Sequence, residues 1–211
     1  MKIIIVGANG KLGTLICSLL KSETIFCVDV NDDINNISEN IDVVIDVSNA
    51  GNSMKTLNYC LQHKIPLVVG TTGHNKTQLN QFKLAAKQIA IFLSYNFSIA
   101  TTIFYKALKV LSKHLKTTTY IIEQHHQNKK DAPSGTAIEI KKLLNNEKTQ
   151  IISMRGAGKV GKHEVSFMLD NEEITISHQA FSREVFAFGA VKAINFIKDK
   201  KYGFYTNKNI I

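Results

Sequence analysis

The sequence has 211 residues, of which 44% are hydrophobic and 20% are charged, so it can bury one large core or two small ones. Its formal charge of +9 comes from 24 lysines spread along the chain and only two arginines. The chain has no arginine-rich arm, zinc-finger spacing or alternation of aromatic and basic residues, so we expect solvated lysine faces and no nucleic-acid partner. No apolar run is long enough to cross a bilayer, and no membrane association is expected.

The chain start and the cysteines indicate the compartment. MKIIIVG passes directly into a glycine-rich loop, so we expect no signal peptide. Cys17, Cys27 and Cys60 lie in apolar segments without CxxC spacing. We therefore expect buried free thiols in a reducing compartment, no metal site and a cytoplasmic location.

The first half of the sequence alternates short apolar runs with amphipathic segments. The predicted strands are residues 2–6, 25–30, 42–47, 66–69 and 89–93, and the predicted helices are residues 11–21, 53–63 and 76–88. Strands of this kind alternating with helices predict parallel βαβ units. The first half is therefore predicted to be an α/β, Rossmann-like doubly wound sheet.

The pattern changes after residue 98. A long helix is predicted over 99–116, followed by a strand at 119–123 and a short helix at 138–144. VSFML and EITISH then predict antiparallel strands around an Asp170–Asn171 turn, and 185–198 returns to a helical period. We expect a second, α+β domain with a mixed or antiparallel sheet over 99–186, and a first domain of 1–98 to which 187–211 returns.

The loop GANGKLG at residues 7–13 follows the first predicted strand and opens the first predicted helix. Its glycines at 7, 10 and 13 permit a tight turn and close helix packing, and the helix N-terminus offers backbone N–H groups to a pyrophosphate. Although the spacing is GxxGxxG rather than the usual GxGxxG, its place in a βαβ unit predicts a dinucleotide site.

Asp29 lies 22 residues after Gly7, at the end of the second predicted strand. A carboxylate there accepts hydrogen bonds from an adenosine ribose, and the alternative is that it caps a loop. Asp32 and Asp33 follow, and no arginine or lysine is adjacent to bind a 2′-phosphate, so NADH is preferred over NADPH. Gly70–Thr71–Thr72–Gly73 and Asn96–Phe97 end two later strands of the same sheet, where they can line a nicotinamide, although the first is also compatible with an ordinary βα turn.

The most reactive segment of the sequence is EQHHQNKKDAPSGTA at residues 123–137. It combines a carboxylate, two histidines and two lysines with a Pro-Ser-Gly-Thr turn whose backbone N–H groups can bind an anion. A pair of solvated surface histidines is the plainer interpretation.

The order of GANGKLG, GTTG, NFS and the histidine segment resembles the 4-hydroxy-tetrahydrodipicolinate reductase (dihydrodipicolinate reductase) family, and the resemblance extends to HQAFSREVFAFGAVKA. It implies reduction of a cyclic dicarboxylate by hydride from NADH or NADPH in the diaminopimelate pathway of lysine biosynthesis. His125 is then the catalytic proton donor or acceptor and Lys129 the second catalytic residue. The residues implied to bind the substrate are His126, Lys129, Gly135 and Thr136. Those implied to bind the cofactor are Gly7, Ala8, Asn9, Gly10, Lys11, Leu12, Asp29, Gly70, Thr71, Thr72, Ser94, Tyr95, Asn96 and Phe97.

The same resemblance implies a dinucleotide-binding first domain and a second domain that binds substrate and forms a homotetramer through its sheet. Glu123 and Lys129 are expected to shift the pKa of His125 in opposite directions. RGAGKVGKH resembles the family's RxGxxxGxH loop, with Arg155 at its start, and Arg183 matches an arginine near the end of the second domain. One alternative is a different dehydrogenase, which would need a cysteine nucleophile or another catalytic loop, and none of the three cysteines has that setting. Another is a nucleotide-sensing protein without turnover, which predicts loss of His125 or Lys129, and both are present.

Overall fold

The protein, described by a computed structural model over residues 1–156, 158 and 160–211, divides into two compact units. The first unit is Met1–Ile99 with Glu184–Ile211, and the second is Ala100–Arg183. The sequence-based boundaries lie within one residue at the first junction and three residues at the second. Within the described residues, no helix is both long and apolar enough to cross a membrane.

A six-stranded parallel sheet forms the centre of the first unit. Its strands are β1 (Lys2–Val6), β2 (Thr24–Val28), β3 (Val43–Asp46), β4 (Leu67–Val69), β5 (Ala90–Leu93) and β10 (Gly203–Tyr205). They lie in the order β10-β5-β4-β3-β1-β2, and every adjacent pair is parallel. The predicted doubly wound sheet is confirmed; β10, a three-residue edge strand, was not predicted because so short a run carries no periodic signal.

Helices cover both faces of this sheet, and the alternation of side chains along β1 explains how. Ile3 and Ile5 pack with α1 (Lys11–Leu19) and α6 (Glu184–Ile197), whereas Ile4 and Val6 pack with α2 (Ala50–His63) and α3 (Lys76–Ala85). Successive residues of a strand point to opposite faces, so one continuous apolar run supplies both cores.

The second unit contains a separate mixed sheet. Its strands are β6 (Thr118–His125), β7 (Thr149–Arg155), β8 (Gly161–Met168) and β9 (Glu173–Ala180), in the order β7-β6-β8-β9. β6 and β7 are parallel, and the other pairs are antiparallel. Helices α4 (Ile99–His114) and α5 (Gly135–Leu144) supply Phe104, Leu108, Ile140 and Leu144 to the core on one face. β7 was not predicted, because it is an edge strand whose side chains are mostly exposed and lack an apolar alternation.

The expectation of three buried cysteines was wrong for two of them. Cys60 is fully buried on α2, but Cys17 is half-buried and Cys27 is exposed. Cys27 belongs to β2, and β2 is the outermost strand of the sheet, so its side chain reaches solvent. All three are free thiols.

Candidate active site

The strand order reverses around β1, which places a ligand crevice at the carboxyl ends of β1 and β3. Gly7 leaves β1 with φ of 84°, and a Cβ at this position would lie 2.9 Å from the Val47 carbonyl oxygen in the loop after β3. A side chain is therefore excluded, and the backbone of GANGKLG can run close to that loop. α1 begins after Gly10, and no side chain of the described chain caps it, so its first N–H groups can receive a phosphate.

Asp29, half-buried at the end of β2, is tied to the same loop. Its Oδ2 accepts a hydrogen bond of 2.7 Å from the backbone N–H of Asn9. The backbone N–H of Asp29 in turn donates to Oδ2 of Asp32 over 2.8 Å. The predicted ribose-binding carboxylate thus sits beside the predicted pyrophosphate loop and is held there by backbone contacts.

A cavity of about 640 Å³ is lined by Val28 and Val30, which flank this carboxylate in sequence, and by a lysine that is distant in sequence. Asp32 and Asp33 line it from the loop after β2, and Lys55 lines it from α2. Lys55 is 26 residues from Asp29 in sequence, so only the packing of α2 against the sheet brings it here. The positive charge of Lys55 therefore opposes the repulsion that the aspartates would exert on a 2′-phosphate.

The remaining predicted cofactor residues of the first unit occupy the same edge of the sheet. Thr71 donates from Oγ1 to Oδ1 of the buried Asp46 over 2.9 Å, and Ser94 donates from Oγ to the carbonyl of Asn96 over 2.8 Å. Phe97 is 2% exposed, and a Cβ on Gly70 would lie 2.5 Å from its ring. Gly70 is thus a glycine because the Phe97 ring packs beneath it, and the ring supports this edge from inside the core.

The other predicted cofactor residues lie in the same loops and differ in their solvent exposure. Ala8 is buried, Leu12 is half-buried, and Gly10 and Lys11 are exposed at the start of α1; Thr72 and Tyr95 are exposed at the ends of β4 and β5.

In the second unit, the histidine segment connects β6 to α5. His125 is the last residue of β6 and 8% exposed, and Glu123, two residues earlier on the same face, is fully buried. α5 begins at Gly135, three residues before the predicted helix, and Ser134 caps it by accepting from the backbone N–H of Ala137 over 3.2 Å. The Pro-Ser-Gly-Thr turn is therefore a helix N-terminus.

Glu123 organises this region as a hydrogen-bond acceptor. Its Oε2 accepts from Nδ1 of His125, while its Oε1 accepts from Nη2 of Arg155 over 2.8 Å and from the backbone N–H of Ser134 over 3.3 Å. Burial alone raises the pKa of Glu123, but the bonds from Arg155, Ser153 and His125 outweigh burial and lower this pKa to about 2. Glu123 is therefore an anion that only accepts hydrogen bonds.

His125 consequently donates from Nδ1 to Glu123, which leaves Nε2 as the nitrogen that exchanges a proton. Burial, the largest influence, lowers the pKa of His125; Glu123 raises it, and Lys129 and Arg155 lower it further, for a net decrease. The expected opposition between Glu123 and Lys129 is present, and burial decides its outcome. A Cβ on Gly161 of β8 would lie 3.0 Å from His125 Nε2, so Gly161 leaves room for this nitrogen.

The predicted substrate-binding residues follow His125 in the connection to α5 and in the first turn of α5. The backbone N–H of Lys129 donates to the carbonyl of His126 over 3.1 Å, and Lys129 Nζ donates to Asp131 over 2.8 Å. Gly135 is exposed and Thr136 half-buried in the first turn of α5. A lysine and a helix N-terminus in one segment can together attract an anion.

Two arginines complete the predicted residues. Arg155 donates from Nη2 to both Glu123 and the carbonyl of Asp131, so it secures the segment on which Lys129 lies. The sequence identifies Arg155 only as a position that matches the family's loop. Its partner Glu123 is 32 residues away, and the pairing of β6 with β7 brings the two side chains together. Arg183 ends the second unit, and its role stays a prediction. In RGAGKVGKH, Ala157 stands where the family's loop has its first glycine, and this position lies outside the described residues.

Ligand atoms of Glu123, His125 and His163 lie within 4.8 Å of one another, which is compatible with a divalent metal ion. Each group already has a hydrogen-bond partner, however: Glu123 binds His125 and Arg155, and His163 Nε2 lies 3.1 Å from Ser134 Oγ. The geometry favours a network that holds a proton.

Comparisons with known proteins show which family this chain resembles. The family model "Dihydrodipicolinate reductase, N-terminus" matches residues 24–97, and "Dihydrodipicolinate reductase, C-terminus" matches residues 99–211. The chain is 40% identical over 216 residues to 4-hydroxy-tetrahydrodipicolinate reductase of Thermosipho africanus, covering 100% of this chain and 98% of the relative. It is 37% identical over 239 residues to the enzyme of the same name from Alkaliphilus oremlandii, with coverage of 100% and 98%.

Solved structures share the fold. Dipicolinate-bound dihydrodipicolinate reductase from Paenisporosarcina superposes with a TM-score of 0.83 at 23% identity, covering 100% of this chain and 99% of that one. A probable dehydrogenase from Thermotoga maritima superposes with a TM-score of 0.65 at 11% identity, covering 99% and 92%.

Proposed function

This chain belongs to the dihydrodipicolinate reductase family, and we propose that His125 and Lys129 are the catalytic residues with which it reduces 4-hydroxy-tetrahydrodipicolinate to tetrahydrodipicolinate. The chain is an NAD(P)H-dependent oxidoreductase of the diaminopimelate route to lysine. The observation that carries the residue assignment is the buried Glu123–His125 pair beside a lysine and a helix N-terminus.

The first unit holds the nicotinamide cofactor, which supplies the hydride when bound. GANGKLG fits a pyrophosphate, because Gly7 permits close backbone approach and the start of α1 presents N–H groups. Asp29 binds the adenosine ribose, and the residues that end β4 and β5 line the nicotinamide end. This arrangement uses the carboxyl edge of the sheet, as expected for a doubly wound fold.

The second unit holds the substrate through its carboxylates. The backbone N–H groups of Gly135 and Thr136 at the start of α5, with the Thr136 hydroxyl, bind one carboxylate. His126 and Lys129 contribute donors and positive charge, and Lys129 can exchange Asp131 for the substrate because Asp131 is 58% exposed. A dicarboxylate is the ligand class that this set of donors favours.

His125 delivers the proton. Loss of the 4-hydroxyl group as water gives the conjugated dihydrodipicolinate ring. Hydride addition leaves negative charge on this ring, and a proton from Nε2 of His125 neutralises it. Glu123 keeps the ring oriented and stabilises the imidazolium form, much as a buried carboxylate orients a catalytic histidine in other enzymes. Lys129 adds a second proton donor and neutralises charge.

The direct test follows absorbance at 340 nm while purified protein is mixed with freshly prepared 4-hydroxy-tetrahydrodipicolinate and NADH. We expect substrate-dependent oxidation, with kcat reduced by about 10²-fold or more in His125→Gln. His114→Gln, a histidine in the last turn of α4 outside the segment, is the control and should match wild type. Wild-type turnover in His125→Gln would contradict the assignment of His125 as a catalytic residue.

NADH is the preferred cofactor in this proposal. Asp29, Asp32 and Asp33 repel a 2′-phosphate, and Lys55 is one positive charge against three negative ones on the same side of the crevice. The test compares kcat/KM for NADH and NADPH in wild type and Lys55→Met. The variant should lose NADPH use and keep NADH use; a wild-type preference for NADPH would contradict the proposal.

We further propose a cytoplasmic homotetramer, assembled through the sheet of the second unit. The face of this sheet opposite α4 and α5 exposes Ile152 (45%), Met154 (50%) and Met168 (36%), which a partner copy would cover. Ile152→Glu should shift the mass measured by light scattering from tetramer to smaller species, whereas a wild-type monomer would refute the assembly. The three free thiols are consistent with a reducing compartment.

A further inference from the structure

We propose that His163 on β8 is a positioning residue. It fixes the position of the His125 ring relative to the helix N-terminus that binds the substrate's carboxylate. The proposal rests on the proposed role of His125 as proton donor. His163 makes no part of the predicted catalytic or binding set; it was noted only as the last position of a glycine-rich motif.

The first observation is the contact between the two rings. His163 pairs with Glu123 across β6 and β8, so its side chain points to the same covered face as the carboxylate. It is 6% exposed, and its ring meets that of His125 edge-to-face, with centroids 5.2 Å apart at 72°. The His125 ring is thus fixed on one edge by Glu123 and on its side by His163.

The second observation is the contact with the helix N-terminus. His163 Nε2 lies 3.1 Å from Oγ of Ser134, the residue that caps α5. Ser134 Oγ accepts from Ala137, and among its contacts in the described chain only Nε2 of His163 can accept its hydroxyl proton. A neutral His163 ring protonated on Nδ1 can accept this proton, and the ring contacts the proton donor on one side and the start of the substrate site on the other.

The electrostatic surroundings agree with a neutral ring. Burial, followed by the charge of His125, lowers the pKa of His163 to about 4; Glu123 opposes this, and His178 and Lys129 add to it. A ring that stays neutral at pH 7 can pack against a protonated His125 without repelling it. A second cation at this position would lower the proton affinity of His125 further.

The test compares His163→Asn with His178→Asn. The asparagine side chain in His163→Asn keeps an amide oxygen near Ser134 but removes the ring from His125, whereas His178 is the residue directly opposite His163 on β9 and serves as the matched control. We expect kcat to fall about tenfold in His163→Asn, with KM and the dissociation constant of dipicolinate within about twofold of wild type. The alkaline limb of kcat should move to lower pH, because a looser bond to Glu123 removes the contribution that raises the pKa of His125.

A readout independent of turnover is the ¹⁵N NMR signal of the His125 Nδ1–H group, which should broaden or shift in His163→Asn and stay unchanged in His178→Asn. Wild-type kcat, pH profile and Nδ1–H signal in His163→Asn would overturn the proposal, as would equal effects in the two variants. If His163→Asn does not fold, Ser134→Ala takes its place and must perturb the same signal; an unperturbed signal overturns the proposal. Failure of the proposed function is separate: wild type would lack reductase activity while the NMR result stands.

Discussion

Substitution of Gly161 by alanine tests whether the position of His125 Nε2 matters for the reaction. The added methyl group would lie 3.0 Å from Nε2 and 3.3 Å from Cδ2, where ordinary contacts begin at about 3.4 Å. The ring must therefore move by about 0.4 Å. Since a displacement of about 1 Å can cost about 10²-fold in rate, we expect kcat to fall about fivefold.

The expected cost in stability is about 1 kcal/mol, at the low end for added bulk in a packed site. Steady-state oxidation of NADH at 340 nm gives kcat and KM, and urea unfolding gives the free energy. Gly156→Ala is the matched control, because an added Cβ there meets nothing within 4 Å in the described part of the chain. A wild-type kcat in Gly161→Ala, or an equal loss in Gly156→Ala, would show that the position of the His125 ring does not limit the reaction.

Three further predictions follow from the charges of the two units. Lys129→Met should lower kcat/KM for the substrate about 10²-fold while NADH binding measured by fluorescence is unchanged; a selective loss of NADH binding would contradict its place in the substrate site. Asp29→Ala should weaken the binding of NADH about tenfold and the binding of NADPH less, and equal losses of affinity for the two cofactors would refute the ribose contact. Folding should depend on pH through His163: its pKa is about 4 when folded and about 6.5 when unfolded, so its stabilising contribution is complete above pH 6.5 and is lost as pH falls to 4. His163 should account for about 3 kcal/mol of this loss, so wild type should lose about 3 kcal/mol more than His163→Gln in urea titrations between pH 6.5 and pH 4; equal losses in the two proteins would contradict the buried neutral state.

Much of the fold is readable from the sequence because its signals are local. The run of residues 3–6 is apolar throughout because both of its faces are buried, and GANGKLG marks the turn from this strand into α1. Edge strands are different. β7 and β10 have few buried side chains, so their pairing, and not their own pattern, defines them. The exposed Cys27 follows from the same cause, since the position of β2 at the edge is a property of the whole sheet.

The candidate site shows a similar division. His125, Lys129 and Gly135 lie in one segment, so a motif in the sequence can identify them together. The approaches of Lys55 to the crevice and of Arg155 to Glu123 depend on packing between distant parts of the chain. The reason that position 161 is a glycine is likewise a contact with His125, 36 residues away. Spacing identifies residues on one loop, whereas the elements that face the loop emerge only from the fold.

The most direct measurement of the central claim is a single-turnover experiment in a stopped-flow instrument. Wild type and His125→Gln, each saturated with NADH, are mixed with 4-hydroxy-tetrahydrodipicolinate, and the decay at 340 nm is followed. We predict rapid oxidation in wild type and a rate at least about 10²-fold lower in His125→Gln, with the same NADH dissociation constant in both. Equal rates in the two proteins, or no oxidation by wild type, would contradict the account.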